Sequence, residues 1–193
     1  MRFFGTEQSK FAYFFDLFFY VASPLLLAVI LYMYSPADSR QTYFFLAIWG
    51  WALWTLIEYL LHRFVLHGVE PFKQWHHQHH LKPKSRVGLP TALSMGLIFF
   101  LIFSPSYAAM NAWYALSLTC GFSIGYAIYT HIHHASHHYK HLNQWLQTRQ
   151  REHAMHHASL TKADAQGCNF GVSTHLWDRV FGTGSNHTDR VEL

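Results

Sequence analysis

Apolar residues gather into four long runs along this chain, separated by shorter polar stretches. The first covers about 14–34, with Asp16 near its start, and the second 43–61, with Glu58 inside it. The third covers about 89–103 and the fourth 107–130. A helix needs about 20 residues to cross the hydrocarbon core of a bilayer. The pattern therefore predicts four transmembrane helices, the third short enough to be tilted or partly embedded. A signal peptide is the alternative for the first run, but that run is too long and no small-residue cleavage site follows it. Ser35 to Gln41 (SPADSRQ) and Ser104 to Ser106 (SPS) have the composition of tight links. The spans then form two helical hairpins, with both links on one side of the membrane. The termini and the segment 62–88 fall on the other.

Composition sharpens this picture. Hydrophobic residues make up 51% of the 193 positions and charged residues only 12%, the balance of an integral membrane protein. The mean hydropathy of +0.03 conceals it, because polar and apolar stretches are segregated rather than mixed. Of the 14 Lys and Arg residues only Arg40 falls in a link, so the positive-inside rule places the opposite side in the cytosol. The basic pI of about 9.1 fits a membrane surface better than a nucleic acid, because the cations are spread between apolar spans. Cys120 lies in an apolar stretch and Cys168 in a polar one, which indicates neither a disulfide framework nor a cysteine zinc site. The expected fold is all-α and membrane-integral: four spans in two hairpins, one domain over 1–193. Its cytosolic helical cap comprises 62–88 and 131–193.

The candidate chemistry lies in that cap. Ten of the 17 histidines recur in four groups: His62 and His67; His76, His79 and His80; His133 and His137; His153, His156 and His157. Positions i, i+3 and i+4 share one helix face, so each HxxHH aims three imidazoles at one point, and His133/His137 makes a similar pair. Ten imidazoles are too many for one metal ion and suit two with open coordination positions. The groups flank apolar spans, which a terminal tag would not do, and all ten fall on the cytosolic side. His62 and His67 are five apart, about 140° around an α-helix, so they do not share a face. Either the helix ends or bends between them or they serve different metals. His77 and the pair His134/His138 offer alternative registers. HxxHH spacing favours His76 over His77, whereas spacing alone leaves His133/His137 and His134/His138 equivalent. His131, His141, His175 and His187 fit ordinary hydrogen bonding.

Glu58 lies one turn before His62. A carboxylate within a span is costly and usually has a task, here accepting an N–H from a ligating imidazole; a structural pair with Arg63 or a backbone group is the alternative. The stretch Tyr139 to Glu152, and Pro71, Phe72 and Trp75, suit segments lying in the membrane interface, or packing of the cap on itself. There is no HExxH and no ExxH bundle pattern. A histidine-rich dinuclear site with open positions suits iron that binds and reduces O2. Beside lipid, such an oxidant would meet acyl chains, whose unactivated C–H bonds offer hydroxylation or desaturation. A metal transporter or storage protein would instead carry ionisable residues deep in several spans, and Glu58 is the one clear candidate.

The strings GWALWTLIEYLLHRFVLH, WHHQHH, RVGLP, GYAIYTHIHHASHH, REHAMHH and FGVSTHLWDRVFGT resemble the fatty acid hydroxylase/sterol desaturase superfamily over roughly 47–184, most nearly its fatty acid 2-hydroxylases. The resemblance carries the pattern HxxxxH, HxxHH, HxxxH, HxxHH onto the ten histidines named above. Counting from the shared GYxxY at Gly125 to Tyr129 favours His133 and His137 as ligands. It implies a non-haem di-iron active form, with zinc in recombinant protein, O2 as co-substrate, and an acyl lipid hydroxylated at carbon 2. Sterol, carotenoid or sphingoid-base hydroxylation, or desaturation, are its sister activities. Trp177 and Asp178 match a closing WD motif, where the resemblance lets Asp178 orient a ligand. Nothing resembles the fused cytochrome b5 domain of animal and fungal members. The expectation is therefore a separate cytochrome b5-like or ferredoxin-type electron donor. A bacterial inner membrane is the favoured location, or the endoplasmic reticulum if the source is eukaryotic. The extra histidines at 77, 131, 134 and 138 exceed the family pattern.

Overall fold

A computed structural model describes residues 7–140, 143–159 and 167–185, and every regular element among them is helical. The elements are α1 (Lys10–Tyr34), α2 (Arg40–Leu60), α3 (Phe72–Leu81), α4 (Thr91–Ile98), α5 (Ser104–Ala109), α6 (Ala112–His138), α7 (Gln144–Ser159) and α8 (Leu176–Val180). Wider π-helical turns over Leu61–Leu66 and Phe99–Phe103 extend α2 and join α4 to α5. His141 and His187 lie outside the described residues.

Three helical stretches are long and apolar enough to cross a membrane: Lys10–Tyr34, Ala37–Leu66 and Thr91–Ala109, of 25, 30 and 19 residues. They correspond to the first three expected spans, and the third is longer than its apolar run. The SPS link is not a turn. Pro105 lacks an N–H, but it sits in the first turn of α5, where that donor is dispensable. In the wide turn before it, the Ser104 N–H reaches the Phe99 carbonyl, so the chain stays helical. The break falls instead at Met110, which is extended, and Asn111, whose Oδ1 accepts the Tyr114 N–H at 3.0 Å. α6, the fourth expected span, is 27 residues long, but Ser117, Thr119, Ser123 and Thr130 dilute its apolar character.

The chain divides into two compact units. One comprises the described residues up to Trp54 together with Arg86–Ile128. In it α2 and α6 approach backbone to backbone. A Cβ on Gly50 would lie 2.0 Å from the Leu118 carbonyl oxygen, and one on Gly121 would lie 1.7 Å from that of Ala47. Small residues permit such crossings where lipid supplies no hydrophobic drive. Trp54 meets Phe122 and Tyr126 edge-on, and Tyr20 meets Tyr126. The Tyr20 hydroxyl bonds the Leu89 carbonyl and Ser94 Oγ at 3.0 and 2.9 Å. Buried Asp16 accepts from Gln8 Nε2 at 2.9 Å and from the Thr91 hydroxyl, so the carboxylate at the start of the first span is satisfied. Phe11, Phe14, Phe15 and Phe18 stay exposed on α1, a face suited to hydrocarbon.

The second unit comprises Thr55–Ser85 and the described residues from Tyr129 onward. Tyr59, fully buried, stacks on Phe181 at 5.2 Å and receives a hydrogen bond from Arg63 at 2.7 Å. Trp177 Nε1 donates to Thr55 Oγ1 at 3.0 Å. These contacts fasten α8 to the end of α2 and set the frame around the histidines.

Candidate metal centre

All ten expected histidines come together in this second unit, nine of them in two sets. His62, His67, His76, His80 and His156 form one, their nearest ring nitrogens within 4.8 Å of one another; His79, His133, His137 and His153 form the other. His157 touches both sets: its Nε2 lies 3.1 Å from that of His153, and its ring lies 4.0 Å from that of His80 and 4.8 Å from that of His137. The two HxxHH boxes each divide between the sets. α3 gives His76 and His80, one turn apart, to the first and His79 to the second. α7 gives His156 to the first and His153 to the second, with His157 against both.

His62 and His67 belong to one set, not two. The wide turn over Leu61–Leu66 is the reason: its i→i+5 pattern returns residues five apart to one stripe, and such turns collect at functional sites. The expected bend is thus a change of helix type. His77 is exposed and apart from both sets. His134 and His138 stack on each other at 4.4 Å and belong to neither.

The Nε2 atoms face one another at 3.0 Å for His62–His76, His76–His80 and His79–His133. The separations are 3.1 Å for His67–His156 and 2.8 Å for His137–His153. Two nitrogens at right angles and about 2.0–2.1 Å from one ion stand about 2.9 Å apart. The donor sets therefore fit two nitrogen-ligated metal ions, with five histidines in the first set and four in the second, His157 standing beside both. Burial, joined by the neighbouring imidazoles, pushes His79 and His137 down to about 3. His67 falls to about 4, and burial alone brings His157 to about 4. His76, His80, His133, His153 and His156 are also lowered, first by burial. All are neutral near pH 7, as metal ligands must be.

Around the first set runs a strap, residues 168–173, that the sequence reading missed. The Phe170 carbonyl meets His62 Nδ1 at 2.5 Å, and the Cys168 carbonyl meets His156 Nδ1 at 2.8 Å. Glu58 meets main-chain groups, the alternative expected of it. Its Oε1 accepts the Val172 and Ser173 N–H groups at 2.7 and 2.8 Å, and its Oε2 takes the Ser173 hydroxyl. Asp178 accepts the Phe170 and Gly171 N–H groups, both at 2.8 Å, and the Thr183 hydroxyl. Burial raises the Asp178 pKa, and these donors pull against that rise. Main-chain carbonyls carry no residue-type signature, so sequence points to them only indirectly, through the FGVST box between two carboxylates.

A buried ionic cluster lies on α7 beside the second set. Arg149 Nη2 stands 2.5 Å from Glu152 Oε2, and His175 Nε2 stands 2.8 Å from Glu152 Oε1. Burial lowers the Arg149 pKa while Glu152 opposes it. His175 thus has the ordinary partner expected. α7 begins at Gln144; it turns Arg149 inward, as packing of the cap on itself would, while Lys140 and Arg151 stay exposed.

The sequence pattern of the family described as fatty acid hydroxylase matches residues 47–183. A fatty acid 2-hydroxylase of Rattus norvegicus is 30% identical over 163 residues, 78% of this chain and 42% of the rat protein. A dihydroceramide fatty acyl 2-hydroxylase of Arabidopsis thaliana is 28% identical, covering 81% of this chain and 69% of its own length. The chain thus spans well under half of the rat relative. The structure of full-length scs7p, in which only the hydroxylase domain is visible, superposes with a TM-score of 0.71 at 24% identity, over 91% of this chain and 67% of the other. That likeness supports the helical fold.

Proposed function

Because the chain belongs to the fatty acid hydroxylase family, we propose that it is a membrane-bound, O2-dependent oxidoreductase that hydroxylates a lipid acyl chain at carbon 2. The observation that carries this reading is the convergence of the ten histidines, nine of them in two sets of five and four with His157 beside both. The names of the rat and Arabidopsis relatives support the acyl chain and the position. The ten histidines are the proposed ligands of two iron ions, which zinc would replace in overexpressed protein. When bound, such ions would supply the reduction of O2. The balance is one C–H bond lost and one C–OH bond gained, with the second oxygen atom leaving as water at the cost of two electrons and two protons.

The chain's own residues keep this centre in order. The wide turn after α2 brings His67 round to His62. α3 and α7 each span both sets, so displacement of either helix would disturb both. Imidazoles are not reductants, so we assign the electrons to a separate donor, cytochrome b5-like or ferredoxin-type. The proposed topology is one domain of four spans in two hairpins, α6 being the fourth, with the histidine groups on the cytosolic side. The groups at 62–67 and 133–137 leave their apolar helices at that side, near lipid headgroups. A carbon beside the acyl carbonyl reaches that depth while its polar head stays in the interface. A methyl-end carbon would reach it only by burying the head, at several kcal/mol. Lipid analysis of a host with and without the protein tests the activity: acyl lipids heavier by one oxygen are expected, and an unchanged lipid profile with full metal loading would contradict it.

A further inference from the structure

We propose that the strap of residues 168–173 holds the first histidine set more firmly than the second, with Glu58 and Asp178 as positioning residues that act on the ligands through its main chain. The inference rests on the reading of the two sets as metal sites and adds an inequality between them. The Phe170 and Cys168 carbonyls reach Nδ1 of His62 and His156, and both histidines belong to the first set. A carbonyl oxygen only accepts, so Nδ1 of each ring carries the hydrogen and Nε2 keeps its lone pair for an ion.

The strap is itself over-determined. Asn169, between the two carbonyls, has φ 53°, the left-handed region that asparagine tolerates better than most residues. Its side chain is buried, with Nδ2 donating to the Glu152 carbonyl and to Ser185 Oγ and Oδ1 accepting the Ser185 N–H. A Cβ on Gly171 would meet the Thr174 carbonyl oxygen at 2.0 Å, so no larger residue fits. The four successive amides of 170–173 all donate to carboxylates, two to Asp178 and two to Glu58. Asp178 is fully buried and Glu58 nearly so. Among the described residues, Nδ1 of His79 and His153 in the second set, and of His80 in the first, is buried with no hydrogen-bond partner, so the contrast lies in the two carbonyl-held rings, His62 and His156, which the second set does not match. Imidazoles held at the far nitrogen keep their aim when an ion leaves, and loss of such support typically costs about 10–100-fold in metal affinity.

The test is zinc release from the purified, two-zinc protein in detergent, using an excess of a chromogenic chelator. Wild type should release its two ions in two phases of equal amplitude, about 10-fold or more apart. His62→Ala should retain only the fast phase and His79→Ala only the slow one. Glu58→Ala and Asp178→Asn should speed the slow phase about 10–100-fold and leave the fast one alone. The Asn amide would set an NH2 against one of the strap's donors. Glu58→Gln should preserve the slow phase, because its carbonyl oxygen still accepts both amides and its NH2 can donate to Ser173 Oγ. Should Glu58→Ala fail to fold, Ser173→Ala, which removes the hydroxyl contact to Glu58, gives the same comparison. A single phase in wild type, equal acceleration of both phases, or Gln behaving like Ala would overturn the inference. Less than about one zinc per wild-type chain would instead reject the metal-site reading on which it rests.

Discussion

His62 and His67 stand five residues apart yet share one histidine set, their ring centroids 5.1 Å apart across a π-helical turn. The grouping has a consequence that single substitutions do not reveal. Replacing both His62 and His67 by Ala should empty one site and leave about one metal per chain. Replacing His62 together with His79 should empty both. Elemental analysis of the two double variants decides it, and equal metal content in both would break the grouping.

The register on α6 is the second prediction. His133 and His137 lie in the second set, whereas His134 and His138 stack on each other outside it. His133→Ala or His137→Ala should lose an ion and abolish lipid hydroxylation; His134→Ala, His138→Ala and the exposed His77→Ala should keep both ions. The opposite pattern would move the site by one residue.

The third concerns the metal-free protein and acid. His67 and His157 titrate near 4 when folded, and His79 and His137 near 3, against 6.5 unfolded. Between those values the unfolded chain binds more protons, so stability rises with pH there. Their neutral burial is therefore tolerated above 6.5, and stability falls as pH drops from 6.5 through 4 to 3. Thermal unfolding in chelator should show a falling Tm over that window and a plateau above it. A Tm independent of pH from 7 to 4 would contradict the burial of these rings.

The crossing of α2 and α6 yields a stability prediction. A methyl group at residue 121 has no space against the Ala47 carbonyl. Gly121→Ala should destabilise the protein by about 1–3 kcal/mol or more, as overpacking does, whereas Gly184→Ala, which meets nothing within 4 Å, should be near neutral. Comparable melting of the two variants in detergent would argue against the close crossing.

Much of the site was legible because helix periodicity is a local property. HxxHH at 76–80 and at 153–157 fixes which rings share a face, and the structure gathers all six of them. What periodicity did not reveal is that each box divides between two sets, since that depends on how α3 and α7 meet. The π turn after α2 escaped for a similar reason: i, i+5 spacing reads as mismatch on an α-helix, and only tertiary packing makes the wider turn pay. Glu58 was recognised as functional by its cost within a span, but its partners at 172–173 lie more than a hundred residues away. The SPS segment misled because Pro-containing polar triplets usually break helices, whereas here the preceding wide turn absorbs the proline.

The proposed reaction inserts an O2-derived oxygen beside an acyl carbonyl. Cells expressing the protein, grown under 18-O labelled O2, provide the direct measurement by mass spectrometry of their acyl lipids. 2-Hydroxy acyl chains carrying one labelled oxygen are expected, absent from cells expressing the His79→Ala variant. Unlabelled hydroxyl, label at a distal carbon, a new double bond without oxygen, or label confined to ring lipids would contradict it.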